Sequence, residues 1–319
     1  MRRFVPTPPR RPEGMRWLRS DGKPNISDRI YKVEGDAQIM ATRPVYTTAK
    51  TSPVLEAAEL IAYRWVRALP VIHPGDKTLV GIVTAMDMVN YFGGGEYYNI
   101  VQNRHKDNIF HALRLEPVES IMNPNPVTVG PEAKLPDIIE KMVVHNIGVL
   151  PVVLPDGRVY GIITEHDIVE RLIEKNVGRR VEEVMSKNVV TIDKRATVKE
   201  AAETMVKFGF RRLPIVDEET GEIWGMITAK DIVRYFGRHD AFSNAPSGKM
   251  SEALSVPVTL VGTKEFYTIE PEADVGEAAT KMMERKVSSL LVVKDGKLVG
   301  IITERDILFA VATAKSPTV

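Results

Sequence analysis

Gly81-Ile-Val-Thr-Ala-Met-Asp87, Gly161-Ile-Ile-Thr-Glu-His-Asp167, Gly225-Met-Ile-Thr-Ala-Lys-Asp231 and Gly300-Ile-Ile-Thr-Glu-Arg-Asp306 are four versions of one phrase, and self-similarity of this kind marks a repeat architecture. Upstream of each lies a second apolar run: Leu69-Pro-Val-Ile72, Leu150-Pro-Val-Val153, Leu213-Pro-Ile-Val216 and Leu290-Leu-Val-Val293. Turn residues such as Asp156-Gly157 and Asp295-Gly296 separate the two runs, so each pair reads as a β-hairpin.

Working outward, an amphipathic segment precedes every hairpin: Val54 to Trp65, Leu135 to His145, Val198 to Phe208 and Val275 to Arg285. Their apolar spacing predicts helices of about three turns, with capping boxes expected at Thr197/Glu200 and Asp274/Glu277. A short β-rich stretch stands before each helix (Val45 to Thr48, Pro126 to Val129, Val189 to Ile192, Phe266 to Ile269), and a second helix follows each Thr-x-x-Asp. The repeating unit is therefore βαββα, an α/β (α+β) fold.

The repeats alternate in character. Asp87-Met-Val-Asn-Tyr-Phe92 resembles Asp231-Ile-Val-Arg-Tyr-Phe236, whereas Thr-Glu-His-Asp and Thr-Glu-Arg-Asp mark the second and fourth copies. Gly81 and Gly225 stand 144 residues apart and Gly161 and Gly300 stand 139 apart, closer to each other than the neighbouring gaps of 80, 64 and 75. A duplicated pair of repeats accounts for this pattern. One repeat alone buries too little surface, so successive repeats are expected to bury their sheets against each other in two modules, with the boundary near residues 175–180. The expected divisions are a basic, Pro- and Arg-rich extension at 1–35, repeat one with its linker at 36–116, repeat two at 117–177, repeat three with its linker at 178–256, and repeat four with a tail at 257–319.

Composition narrows the function. The 319 residues carry 43 basic and 42 acidic side chains, so no global field favours nucleic acid or an anionic membrane, and a charged ligand must be met by local groups. Residues 1–23 depart from this balance, with seven Arg or Lys against Glu13 and Asp21. They lack the interleaved aromatics of a single-strand platform, and no nucleic-acid partner is expected. The chain contains no cysteine, which removes disulfides, thiolate metal sites and a cysteine nucleophile and fits a reducing cytoplasm. No apolar run reaches the ~20 residues of a membrane span. The six histidines form no metal-ligand spacing.

Four copies of Gly-Ile-[Ile/Val]-Thr-x-x-Asp, each behind a Leu-Pro-Val-like strand, resemble CBS domains over about residues 36–313. Tandem pairs in that family form Bateman modules. A four-repeat chain is similar to the gamma subunits of AMP-activated protein kinase and their stand-alone archaeal relatives. The resemblance implies two Bateman modules forming a disc, with adenine nucleotides as regulatory ligands in clefts between paired repeats. AMP is the first choice, followed by ADP and ATP.

The motif's chemistry is compatible with that implication. Thr at a strand end opens a helix whose unpaired N–H groups attract phosphate, and an Asp one turn on can accept hydrogen bonds from ribose hydroxyls. The same Thr-x-x-Asp is also a capping box that merely satisfies its own helix. The resemblance assigns Thr84/Asp87, Thr164/Asp167, Thr228/Asp231 and Thr303/Asp306 to ligand. It also marks Arg67, Arg211 and Arg212, just before their hairpins, as phosphate ligands. Repeats two and four have Ile147-Gly148-Val149 and Ser288-Ser289 there, and His166 and Arg305 inside the loop are expected to compensate; Lys230 holds the same position in repeat three. Ile82, Ile162, Met226 and Ile301 are candidate walls for adenine.

A non-catalytic sensor acting on a protein partner is thus expected, with no catalytic cofactor, as a monomer or weak homodimer in the cytoplasm. An interaction scaffold with empty clefts and a binder of S-adenosylmethionine-type ligands are the alternatives.

Overall fold

The computed structural model describes residues 23–32, 36–172 and 177–313. Apart from Lys23, the basic stretch 1–23 lies outside the described residues. So do residues 173–176, beside the expected module boundary, and the last six residues of the tail.

Eleven strands are described: β1 (Thr48–Ala49), β2 (Ala68–Ile72), β3 (Leu79–Thr84), β4 (Val149–Val153), β5 (Val159–Thr164), β6 (Ile192–Asp193), β7 (Arg212–Val216), β8 (Ile223–Thr228), β9 (Thr268–Ile269), β10 (Ser289–Lys294) and β11 (Lys297–Thr303). The helices that matter here are α1 (Val54–Arg64), α2 (Ala85–Val89), α3 (Tyr98–His105), α4 (Ile109–Leu115), α5 (Leu135–Val144), α6 (Glu165–Leu172), α7 (Val198–Phe208), α8 (Ala229–Gly237), α9 (Val275–Arg285) and α10 (Glu304–Ala312). Repeats one, three and four each form a three-stranded sheet from a parallel two-residue strand and an antiparallel hairpin. In repeat two, Val129 alone bridges to Val152 beside the β4–β5 hairpin.

The first helix of each repeat buries the apolar positions its spacing marks, Val54, Leu55, Ala57, Ala58, Ile61 and Ala62 in α1 for example. Thr197 and Glu200 close the expected capping box on α7. Asp274 does not pair with Glu277. Its carboxylate accepts from Gly276 N–H at 2.7 Å and from Val177 and Gly178 N–H at 2.8 Å each, tying the start of α9 to the chain that leads into repeat three. Past the end of each first helix stands a residue in the left-handed region, Trp65, Asn146, Gly209 or Lys286, which turns the chain into the hairpin.

The four hairpins share one register. Thr84 lies opposite Ala68, Thr164 opposite Val149, Thr228 opposite Arg212 and Thr303 opposite Ser289. Pro70, Pro151 and Pro214 occupy the inner strand where it pairs with Ile82, Ile162 and Met226. Ile82 directs both its N–H and its C=O outward to Asn123, so the pair with Pro70 needs no proline donor. The outer strand of every hairpin meets another segment in this way: Ile82 bridges Asn123, Ile162 bridges Thr42, Met226 bridges Thr263 and Ile301 bridges Ser186. The glycine that opens the repeated phrase is what permits the approach. A Cβ on Gly81 would sit 2.6 Å from Met122 Sδ, and one on Gly161 would sit 2.5 Å from Ala41 Cβ; at Gly225 it would overlap the Thr263 carbonyl and at Gly300 the Met185 sulfur.

The compact units combine alternate repeats of the chain. Unit 1 combines Tyr46–Pro126 with Val190–Glu265, hence repeats one and three; unit 2 combines the described part of residues 10–45 with Val127–Val189 and the described part of 266–319, hence repeats two and four. The physical reason is twofold. The leading segment of each repeat lies with the other unit, as the bridges above require. Within each unit the paired repeats bury helices rather than sheets against one another. In unit 1, α1 lies along α8 and the turn after α2 lies against α7. The Phe92 and Phe236 rings meet there at 4.2 Å, tilted by 31°, the two copies of the Tyr-Phe doublet that made these repeats look alike. In unit 2, α6 packs on α10.

Candidate functional site

Each Thr-x-x-Asp builds the same local device. Thr N–H and Thr hydroxyl both donate to Oδ2 of the Asp, at 2.7 Å each for Thr84/Asp87, 2.7 and 2.6 Å for Thr164/Asp167, 2.8 and 2.6 Å for Thr228/Asp231, and 2.8 and 2.7 Å for Thr303/Asp306. In the first three repeats the Asp N–H returns a bond to Thr Oγ1 at 3.3 or 3.4 Å. The capping reading of the motif therefore holds in the sequence's own terms. It engages Oδ2 and leaves Oδ1 outside the cap. In repeat two that second oxygen accepts from the Thr42 hydroxyl at 3.0 Å, a contact the sequence does not announce because 125 residues intervene.

Burial pushes the carboxyls of Asp87 and Asp306 up to about 6, against the opposing pull of their Thr donors. Asp231 is raised for the same reason, with Thr228, Arg234 and Lys230 working in the other direction.

The surroundings of the four devices differ sharply between units. In unit 1 the structure gathers cations from both repeats. The carbonyls of Arg67 and Arg211 accept the first N–H of α2 and α8, each at 2.9 Å, so these arginines enter their hairpins beside the helix starts. Arg212 faces Thr228 across the hairpin. The Lys230 ammonium is held below the ordinary lysine range, first by burial, then by the field of Arg67, with Arg234 and Arg212 adding to it against the pull of Asp231. Its Nζ donates to the Trp65 carbonyl at 3.3 Å and lies over the Trp65 ring, as does the Arg234 guanidinium at 4.3 Å. Arg234 also approaches Asp231 Oδ1 at 3.6 Å. The predicted residues Arg67, Arg212 and Lys230 are thus brought together. Trp65 and Arg234 are further members that sequence reasoning missed. Arg234, three residues past Asp231 on the same helix face, carried a usable signal; Trp65 did not.

In unit 2 the predicted cations have other company. Arg305 Nε donates to Glu165 Oε1 at 2.5 Å, and its NH1 group binds the Asn146 side-chain oxygen. His166 Nδ1 meets Glu304 Oε1 at 2.7 Å. Glu165 and Glu304 are buried, at 1% and 2% exposure. The compensation expected of His166 and Arg305 therefore meets built-in carboxylates. The sequence showed the Thr-Glu alternation without revealing that each glutamate faces a cation of the other repeat.

The adenine-wall candidates Ile82 and Met226 are buried. A cleft of about 860 Å³ in unit 1 lies elsewhere, over the outer side of α7, and none of the Thr or Asp residues of the four motifs lines it. Among the described residues no group of three His, Asp or Glu side chains is arranged to hold a metal ion. No helix of the described residues is long and apolar enough to cross a membrane.

Four hairpin-and-helix repeats with one shared cap define a class, and the CBS-domain family model matches residues 36–94, 118–174, 181–238 and 259–313. The chain belongs to the CBS-domain family. It is 30% identical over 282 residues to an uncharacterised protein of Methanocaldococcus jannaschii, MJ1225, covering 88% of this chain and 98% of that one. The crystal structure of MJ1225, described as a proposed archaeal homologue of g-AMPK, superposes with a TM-score of 0.80 over 86% of this chain and 98% of that chain. An uncharacterised 33.4 kDa protein of Thermofilum pendens is 31% identical over 83% of this chain and 87% of its own length. The inosine-5'-monophosphate dehydrogenase of Aquifex aeolicus is 39% identical over 118 residues, 36% of this chain and 24% of the enzyme.

Proposed function

We propose that this protein is a non-catalytic regulatory subunit or sensor that binds adenine nucleotides, with AMP as the preferred ligand, ahead of ADP and ATP. The observation that carries the proposal is the cation cluster of unit 1. Arg67, Arg212, Lys230 and Arg234 are held close enough that burial and the field of these arginines together depress the Lys230 ammonium, a local concentration of positive charge that favours an anionic ligand. Guanidinium forks suit phosphate, each charge-assisted bond contributing about 1.5–3 kcal/mol. The adjoining Thr84/Asp87 and Thr228/Asp231 offer carboxylate oxygens outside the cap to ribose hydroxyls, and Arg211 stands at the mouth of the same hairpin. On this reading the output passes to a protein partner through the ligand's differential affinity for two arrangements of the chain.

The test is thermal unfolding with AMP, ADP, ATP, GTP and S-adenosylmethionine. Ligand at 100 times its Kd stabilises by about 2.7 kcal/mol, or roughly 4 °C for a chain of this size unfolding as one. The expected result is a shift selective for adenine nucleotides, abolished in Arg212→Ala combined with Asp231→Ala. A shift by S-adenosylmethionine alone would reassign the ligand, and no shift by any of them would leave the Thr-x-x-Asp devices as helix caps of an interaction scaffold.

A further inference from the structure

The residue that follows the capping threonine is Ala85 in repeat one, Glu165 in repeat two, Ala229 in repeat three and Glu304 in repeat four. It is the first residue of the second helix in every repeat. In unit 2 the two glutamates are buried and reach across between repeats in a reciprocal pattern: Glu165 of repeat two takes Arg305 of repeat four, and Glu304 of repeat four takes His166 of repeat two. The position before the hairpin is matched to this. Gly148 precedes Val149 where repeat one has Arg67, and a Cβ on Gly148 would lie 2.5 Å from Glu165 Oε2. Where one unit has an arginine before the strand and alanine after the threonine, the other has glycine or serine (Gly148, Ser288) and glutamate.

Resting on the reading of unit 1 as an anion receiver, we infer that the carboxylates of Glu165 and Glu304 act as the resident anions of unit 2, so that the residue after the capping threonine decides which unit accepts a phosphate-bearing ligand. The Glu165 charge also raises the Asp306 carboxyl beside it, as a bound anion at that place would. A phosphate entering unit 2 would have to displace a buried carboxylate from its charged partner, a change that disfavours the ligand by the cost of breaking a buried charge pair. In unit 1 the small methyl groups of Ala85 and Ala229 impose no such competition.

The experiment is isothermal titration of the full chain with AMP and with inorganic pyrophosphate, in three backgrounds: wild type, Glu165→Ala with Glu304→Ala, and that pair with Arg212→Ala added. The double variant is expected to bind at least one more equivalent than wild type. With Arg212→Ala present, unit 1 should fall silent and the new equivalent remain, to be lost on further Arg305→Ala. If the wild type binds neither probe, the reading of unit 1 has failed. If the wild type binds and the double variant keeps wild-type circular dichroism but gains no equivalent, the resident-anion inference is overturned. The reciprocal variant Ala229→Glu covers the case in which the double variant does not fold. It should weaken AMP binding at least tenfold, and unchanged affinity in a folded Ala229→Glu protein would likewise overturn the inference.

Discussion

At the scale of single residues, the four aspartates combine two tasks that the sequence could not separate. Oδ2 is committed to the helix cap in every repeat, whereas Oδ1 remains outside it, so a capping box and a ligand contact are not alternatives here. Asp306 is 5% exposed, and burial raises its carboxyl to about 6 from an ordinary value of 3.8. Its contribution to stability is fully present below about pH 4 and is lost as pH rises through 6, because the unfolded chain ionises first. Asp306→Asn keeps an oxygen able to accept from Thr303 and removes the titration. Urea unfolding at pH 4 and pH 7.5 should show the variant losing roughly 2 kcal/mol less than wild type over that interval. Parallel pH profiles would show that the Asp306 carboxyl titrates alike in the folded and unfolded chains.

Elements meet through glycine in this fold. Gly94 faces the Ala202 carbonyl of α7, where a Cβ would lie 2.7 Å away, and Gly237 at the end of α8 lies under the Ala58 carbonyl of α1 with no room for a Cβ. The two contacts are reciprocal across repeats one and three. They are offset by one residue, which the π-helical turn Asn90–Gly94 absorbs in repeat one. In an ordinary exposed helix Gly→Ala stabilises by about 0.5–1 kcal/mol. Gly237→Ala should do the reverse, destabilising by about 1–3 kcal/mol as an overpacked contact does, and the sign of the change in denaturation midpoint checks it. A stabilised variant would mean that α1 and α8 can part by a few tenths of an ångström without cost. The hairpin glycines work likewise at their bridges to Asn123, Thr42, Thr263 and Ser186, which is why the repeated phrase begins with glycine in all four copies.

At the scale of the molecule, two compact units with different charge at the same structural place should respond differently to one ligand. Hydrogen exchange with saturating AMP is expected to slow amides around 67–87 and 211–234 in unit 1, and to leave the corresponding stretches of unit 2, around 148–167 and 288–306, near their ligand-free rates. Equal protection in both units would contradict the division of labour proposed here.

The number of repeats, the βαββα order, the hairpins and the first helices to within a residue were legible in the sequence, because each rests on local rules: apolar period, turn residues and caps that act over three to five positions. The same holds for the candidate Thr, Asp and most of the cations. Tertiary structure alone decided which repeats share a core, since that depends on helix faces meeting across more than a hundred residues and on leading segments that cross to the other unit. It likewise decided that Arg305 and His166 face buried glutamates while Lys230 faces Arg67, Arg212 and Arg234. A charge acquires its meaning from its neighbours in space, and those neighbours were a full repeat or more away along the chain.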